Sequence, residues 1–202
     1  MAHRPLVGIV LAGGASRRFG SDKLAAPLAG RPLVVHAIEA LRRVPVAEIV
    51  VVGPPEPATP GWLADVAAAG ARLVRDRERF GGPLAGLAEG LRALGSDEIA
   101  LVVGGDMPWL DPGVLAGLAA ALDERDEAGI GCLVTEGRDQ LLPLALRPGP
   151  ALALAAPLLD AGERRLGALR LLFRNGSHYG SVAYARPGPV SRGAIEAPRR
   201  VE

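Results

Sequence analysis

Residues Gly8 to Lys23 read G-I-V-L-A-G-G-A-S-R-R-F-G-S-D-K. The stretch opens inside an apolar run, Leu6 to Leu11, with the length and β-branched content of a buried strand. It then breaks into a loop that holds Gly13, Gly14 and Gly20 among Ser16, Arg17, Arg18 and Lys23. A strand that spills into a glycine-rich, cation-bearing loop is a phosphate cradle. Glycines let backbone N–H groups approach an anion, and the Arg and Lys side chains neutralise it. A tight turn with surface cations would look similar, but cations grouped this closely behind a strand favour phosphate. The spacing excludes two other phosphate loops: there is neither G-x-x-x-x-G-K-[ST] nor G-x-G-x-x-G.

Composition narrows the class further. A chain of 202 residues is long enough for one well-buried domain. Aromatics make up only 3% of it, so the core must be built from Ala, Val and Leu. The net charge of +1 and the absence of a basic stripe argue against nucleic acid as a partner. Cys132 is the single cysteine, which excludes an internal disulfide and a cysteine-based zinc site. No apolar stretch has transmembrane length and the first residues lack a signal-peptide core, so no membrane association is expected and a cytoplasmic location is the default.

Along the chain, Leu33, Val34, Ala37, Ile38 and Leu41 predict a helix from Pro32 to about Arg43. Glu48 to Gly53 reads as a second strand, Trp62 to Ala69 as a short helix and Arg72 to Arg75 as a third strand. A second glycine-rich passage, D-R-E-R-F-G-G-P-L-A-G-L from Asp76 to Leu87, leads into a helix entered at Pro83. Glu98 to Asp106 is a fourth strand, and Asp111 is the expected N-cap of a helix from Pro112 to Leu122. Two more strands, Ile130 to Thr135 and Leu141 to Leu146, precede helices at Pro150 to Asp160 and Glu163 to Phe173. This alternation predicts an α/β fold in one domain, a mostly parallel central sheet with helices on both faces. Ligands of such sheets sit at strand carboxyl ends, where both glycine-rich passages and Asp106 fall. The boundaries expected are a domain over 1–174 and an irregular or disordered tail over 175–202.

Three motifs together, L-A-G-G-A-S-R-R-F-G-S-D-K, G-G-P-L-A-G-L and G-G-D-M-P-W-L, resemble those of the MobA-like nucleotidyltransferases. D-A-G-E-R-R, Asp160 to Arg165, resembles a further stretch of the molybdenum cofactor guanylyltransferases within that family. The resemblance covers about residues 6 to 173. It implies a three-layer Rossmann-like nucleotidyltransferase fold and transfer of GMP from GTP to molybdenum-bound molybdopterin, with Mg²⁺ as cofactor and pyrophosphate released. GTP and molybdopterin would be the substrates, and proteins that load molybdopterin or accept the product would be transient partners. Residue by residue, it implies that Leu11, Ala12 and Gly13 contact the nucleotide, with Gly14 and Ser16 in the same loop. Lys23 matches a phosphate-binding lysine, Asp76 an acidic nucleotide contact, and Asp106 a magnesium-binding aspartate. Gly82, Pro83 and Leu84 belong to the second nucleotide-binding passage. A family asparagine falls at Gly53 here, so that side-chain contact is absent or supplied by backbone.

The chemistry is compatible with this set. An acceptor phosphate and a nucleoside triphosphate repel one another, so the enzyme must screen charge and hold attacking and leaving oxygens in line. Arg17 and Lys23 would stabilise charge on the departing pyrophosphate, beside Asp106 as third catalytic group. A phosphate nucleophile is already ionised near neutral pH, so no catalytic His or Cys is required. Bland readings stand beside these. Asp106 before Pro108 also suits a turn former, R-D-R-E-R around Asp76 also suits a solvated loop, and Gly81-Gly82-Pro83 also suits helix-entry chemistry.

The end of the chain departs from the family. Its members close with an apolar strand and an Asn-x-Asn-Thr-Pro-Glu-like segment, and neither is legible after Phe173. That segment forms the acceptor side of the family's site. A sister cytidylyltransferase, another NTP transferase or a nucleotide-binding protein without turnover are the alternatives.

Overall fold

The computed structural model describes residues 4–13, 22–77, 81–135, 138–174 and 180–185. Strand β1 (Leu6–Leu11) is followed by a 3-10 turn, Lys23–Ala25, and a two-strand ribbon, β2 (Pro27–Leu28) and β3 (Arg31–Pro32). Helix α1 (Leu33–Arg42), β4 (Val46–Gly53), α2 (Leu63–Ala68), β5 (Arg72–Arg75), α3 (Gly82–Arg92) and β6 (Ile99–Gly104) come next. The second half holds α4 (Pro112–Asp123), β7 (Ala128–Thr135), β8 (Arg138–Leu146), α5 (Pro148–Asp160), α6 (Leu166–Arg174) and β9 (Gly180–Ala185).

Seven strands form one sheet in the order β5-β4-β1-β6-β8-β7-β9. Only β8 runs against its neighbours. The chain steps outward from β1 through β4 to β5, then returns past β1 to lay β6 on its other side. The mostly parallel sheet expected from the alternating pattern is therefore present, with an apolar layer on each face. On one face Val10, Val51, Leu101 and Val103 pack with Ile38 and Leu41 of α1 and Leu115 and Leu118 of α4. On the other, Ile9, Val50, Val52 and Val102 pack with Leu84, Leu87 and Leu91 of α3 and with Leu169 and Phe173 of α6. Successive side chains of a strand point to opposite faces, so one β1 run serves both layers. Two glycines let the helices approach closely. A Cβ at Gly8 would lie 2.8 Å from Leu41 Cδ1, and one at Gly90 would lie 3.0 Å from Ile9 Cγ2.

Two features were not legible in the sequence. The β2–β3 ribbon is held by the His36 ring, whose Nε2 donates to Leu28 O at 2.8 Å. Gly180–Ala185 lies inside the stretch expected to be an irregular tail, yet it forms β9, parallel to β7. The strand forms because β7 offers an unpaired edge on the side away from β8, and the backbone of S-V-A-Y-A satisfies it. Residues 186–202, where the rest of the tail falls, lie outside the described residues. Among the described residues no helix is long and apolar enough to cross a membrane.

At the junction of α4 and β7, Arg147 is buried and donates to Ala128 O at 2.7 Å, Leu122 O at 2.9 Å and Arg125 O at 3.0 Å. Its cation meets carbonyls at the C-terminal end of α4, where the helix dipole is negative. Arg147→Met should lower unfolding free energy by about 1–3 kcal/mol, the cost of leaving buried carbonyls under-satisfied. Urea denaturation with an unchanged slope would check it.

Candidate nucleotide site

The site lies where β1, β4, β5 and β6 end. Ala12 N–H donates to Val52 O at 2.8 Å, and Gly105 N–H to Leu11 O at 3.0 Å. These bonds carry the parallel pairing one residue past β1 and β6, so Ala12 lies opposite Gly105 and Gly13 follows it to the rim beside Gly53. Ala12 is packed in the sheet, 3% exposed, whereas Leu11 and Gly13 on either side of it are partly exposed.

Asp76 follows β5, and its N–H donates to Gly53 O at 2.9 Å. Its carboxylate lies beside glycines from two elements. A Cβ built on Gly13 would stand 3.8 Å from Asp76 Oδ2, and one built on Gly86 of α3 would stand 3.7 Å from it. Asp76 is 7% exposed, so the solvated-loop reading does not hold. The residue belongs to the rim with Gly13 and Gly53.

Across the rim, Lys23 Nζ lies 2.8 Å from Asp106 Oδ2. Both remain accessible, with side chains 37% and 48% exposed. Asp106 sits just beyond β6 in a turn closed by Met107 N–H to Gly104 O at 3.2 Å. Its carboxylate folds back over Gly104, where an added Cβ would come within 2.9 Å of Oδ1. This conformation meets the turn-former reading of Asp106 and leaves Oδ2 on Lys23. Lys23 is set by its own turn: Asp22 is the N-cap and its Oδ1 accepts from Leu24 N–H at 3.1 Å. Leu24 is buried against Gly105, 3.2 Å from where a Cβ would stand. Asp22 Oδ2 also accepts from the indole Nε1 of Trp62 at 2.8 Å. The sequence signalled Lys23 but not these partners. An Asp before a turn is a capping signal, whereas nothing in the local pattern couples residue 22 to residue 62.

The second glycine-rich passage is brought against D-A-G-E-R-R. Gly82 has φ +81°, and a Cβ there would meet Arg164 Cβ at 2.8 Å and its carbonyl oxygen at 2.9 Å. Leu84 is fully buried and donates its N–H to Arg164 O at 3.1 Å, so both side chain and amide are committed within the protein. Pro83 is exposed in the first turn of α3. Glu163 secures the facing turn. The Arg165 guanidinium, helped by the N–H groups of Arg165 and Arg164, holds its carboxyl down at about 2. Gly14, Ser16 and Arg17 lie outside the described residues.

Among the described residues, no group of three or more His, Cys, Asp or Glu is gathered as a metal cage. A lone, half-exposed carboxylate at a strand end fits an ion that takes its other ligands from water and phosphate oxygens, which is how magnesium is usually bound.

The model of the MobA-like NTP transferase domain family matches residues 8–176. The molybdenum cofactor guanylyltransferase of Xanthomonas euvesicatoria pv. vesicatoria (strain 85-10) is 36% identical over 169 residues, covering 84% of this chain and 78% of that protein. Among solved structures, molybdopterin-guanine dinucleotide biosynthesis protein A of Archaeoglobus fulgidus aligns with a TM-score of 0.62 at 22% identity, over 89% of this chain and 83% of that one. Rv0371c of Mycobacterium tuberculosis H37Rv, solved in complex with manganese, aligns with a TM-score of 0.61 at 15% identity, over 91% and 90% of the two chains.

The close packing at Gly82 yields a direct test of the junction between the two motifs. Gly82→Ala must either strain φ or push the 163–165 turn away, and should cost about 1–3 kcal/mol of stability. A shift of the thermal midpoint by several degrees would register it.

Proposed function

Because this chain belongs to the MobA-like NTP transferase domain family, we propose that it transfers GMP from GTP to molybdenum-bound molybdopterin and releases pyrophosphate. Magnesium is the proposed metal, with Asp106 as its protein ligand. The observation that carries the reading is the Lys23–Asp106 pair, 2.8 Å apart at the rim although the residues are 83 positions apart in sequence. An ion pair this exposed contributes only about 0–1 kcal/mol to the fold. Its value lies in bringing one cation and one metal-binding carboxylate to the same edge, where a triphosphate needs both.

Each group has a distinct task. The Gly13 rim admits the nucleotide closely because no Cβ stands there. Asp76, seated between Gly13 and Gly86, offers an acceptor to the N–H or hydroxyl groups of the nucleoside. Lys23 faces the phosphates and stabilises negative charge as it accumulates on the leaving pyrophosphate. The metal, when bound, supplies neutralisation of phosphate oxygens without a proton transfer. Lys23 exchanges its pairing with Asp106 for phosphate oxygens as the nucleotide enters, so neither charge is left unpartnered. Arg17, six residues past Leu11 in the sequence, is proposed as a second cation on the phosphates. The acceptor phosphate attacks the α-phosphorus in line, and rate comes from positioning and charge screening.

The test is pyrophosphate release with molybdopterin-loaded acceptor, comparing GTP, CTP and ATP, with and without chelation of Mg²⁺. GTP-selective release that requires Mg²⁺ and falls by roughly 10²–10³-fold in Lys23→Ala and in Asp106→Ala is the expected result. CTP selectivity would assign the sister cytidylyl transfer. GTP binding with no release would assign a nucleotide-binding protein without turnover.

A further inference from the structure

Trp62 is 1% exposed, and its ring lies against Gly53, where a Cβ would stand 3.4 Å from Cη2. A buried indole N–H needs an acceptor. Its acceptor lies outside the sheet and outside α2, which Trp62 precedes as N-cap. The N–H reaches 2.8 Å to Asp22 Oδ2, on the residue immediately before Lys23. The other oxygen of that carboxylate caps the 3-10 turn that Lys23 begins, through Leu24 N–H at 3.1 Å. One carboxylate is therefore shared between a buried anchor and the backbone that carries the lysine. Two further contacts fix the same turn: Leu24 packs beside Gly105, and Leu33 N–H at the start of α1 donates to Ala26 O at 3.1 Å.

We infer that the Trp62–Asp22 hydrogen bond is a positioning device for Lys23, which fixes the lysine's turn to the end of β4 so that Nζ meets the phosphates at the Asp106 side of the rim. The inference rests on the proposed role of Lys23 toward the nucleotide. It extends the site to a residue of the β4–α2 connection that touches neither phosphate nor metal. Trp62 acts through Asp22, and Asp22 acts through the backbone of Lys23. The arrangement also assigns the two carboxylates that neighbour Lys23 to different tasks. Asp22 is occupied by the indole and the cap, and Asp106 is the one that pairs with Nζ. A lysine whose turn swings freely would visit several phosphate oxygens. One held at a fixed origin favours the geometry in which the leaving group departs, so loss of the anchor should affect turnover more than ground-state binding.

The experiment compares Trp62→Phe, which keeps a buried ring and deletes only the N–H donor, with Asp22→Asn, Asp22→Ala and the control Trp109→Phe. Trp62→Phe should lower kcat about 10-fold while KM for GTP changes less than about 3-fold and the thermal midpoint stays within a few degrees. Asp22→Asn keeps one oxygen for the cap but turns its NH₂ toward the indole, so it should resemble Trp62→Phe, and the double variant should be no worse than either single one. Asp22→Ala loses both bonds and should be more severe. Trp109→Phe should behave as the parent does. GTP affinity measured by calorimetry in a Lys23→Ala background supplies the second readout. There, Trp62→Phe should change nothing, whereas in the parent it should weaken binding by about 2–3-fold.

Equal losses from Trp62→Phe with and without Lys23 would overturn the inference, as would activity that falls only in step with the thermal midpoint. Unchanged kcat in Trp62→Phe would overturn it as well. If Lys23→Ala itself leaves turnover and GTP affinity at parent values, the role of Lys23 falls, and the positioning inference falls with it. If Lys23→Ala collapses activity while Trp62→Phe and Asp22→Asn do not, only the positioning inference fails.

Discussion

Strand β1 is hydrogen-bonded to parallel neighbours on both edges and packed by helices on both faces, so its inner residues, Val7 to Val10, are closed off from water. Everything the molecule does at its rim follows from that enclosure. A strand with no free edge and no free face cannot slip by one residue without exchanging its two cores, since Ile9 and Val10 belong to opposite layers. The residues where it ends are therefore fixed to within the play of a single hydrogen bond. Ala12 is delivered opposite Gly105, and Gly13 beside Gly53, by the same register that buries Val7 and Ile9.

The enclosure also explains the glycines that lie away from the rim. Gly8 and Gly90 sit in the two packed layers and allow α1 and α3 to close on the central strands. Closing that distance brings the start of α1 near the Lys23 turn and seats Gly86 of α3 against Asp76. The geometry of the rim is thus set by contacts well below it. A core change at Leu41 or Ile9 would be read at the site as a displacement of a helix start, not as loss of a functional group.

Periodicity made the inner strands and most helices legible because each is buried or amphipathic over several residues. β5 was read with the ends it has, Arg72–Arg75, and the helix expected from Pro32 to about Arg43 spans Leu33–Arg42. The unread elements are those whose stability comes from elsewhere. The β2–β3 ribbon is two residues per strand and depends on His36, and β9 takes its pairing from the edge of β7. Local sequence carries no trace of a partner supplied by the fold. The site shows the same division. Lys23, Asp76 and Asp106 could be singled out by motif, since each lies just past or beside a recognisable strand end. That Asp76 is buried, that Leu84 has its amide committed to Arg164, and that Asp22 bonds Trp62 are facts of packing that no spacing encodes.

The two acids that bracket Lys23 illustrate how the fold separates chemistry from support. Asp22 and Asp106 are the same side chain, and both lie within hydrogen-bond reach of elements at one rim. Asp22 caps a tight turn, so its oxygens are drawn to a backbone amide and an indole, both fixed donors that hold it in one orientation. Asp106 follows β6 directly and turns back over Gly104, so its outer oxygen faces the open edge, where a mobile cation can pair with it and leave. A carboxylate bonded to fixed N–H groups serves as structure, and one bonded to a flexible ammonium on the solvent side serves exchange. Strand β1 and the 3-10 turn decide which is which before any ligand arrives.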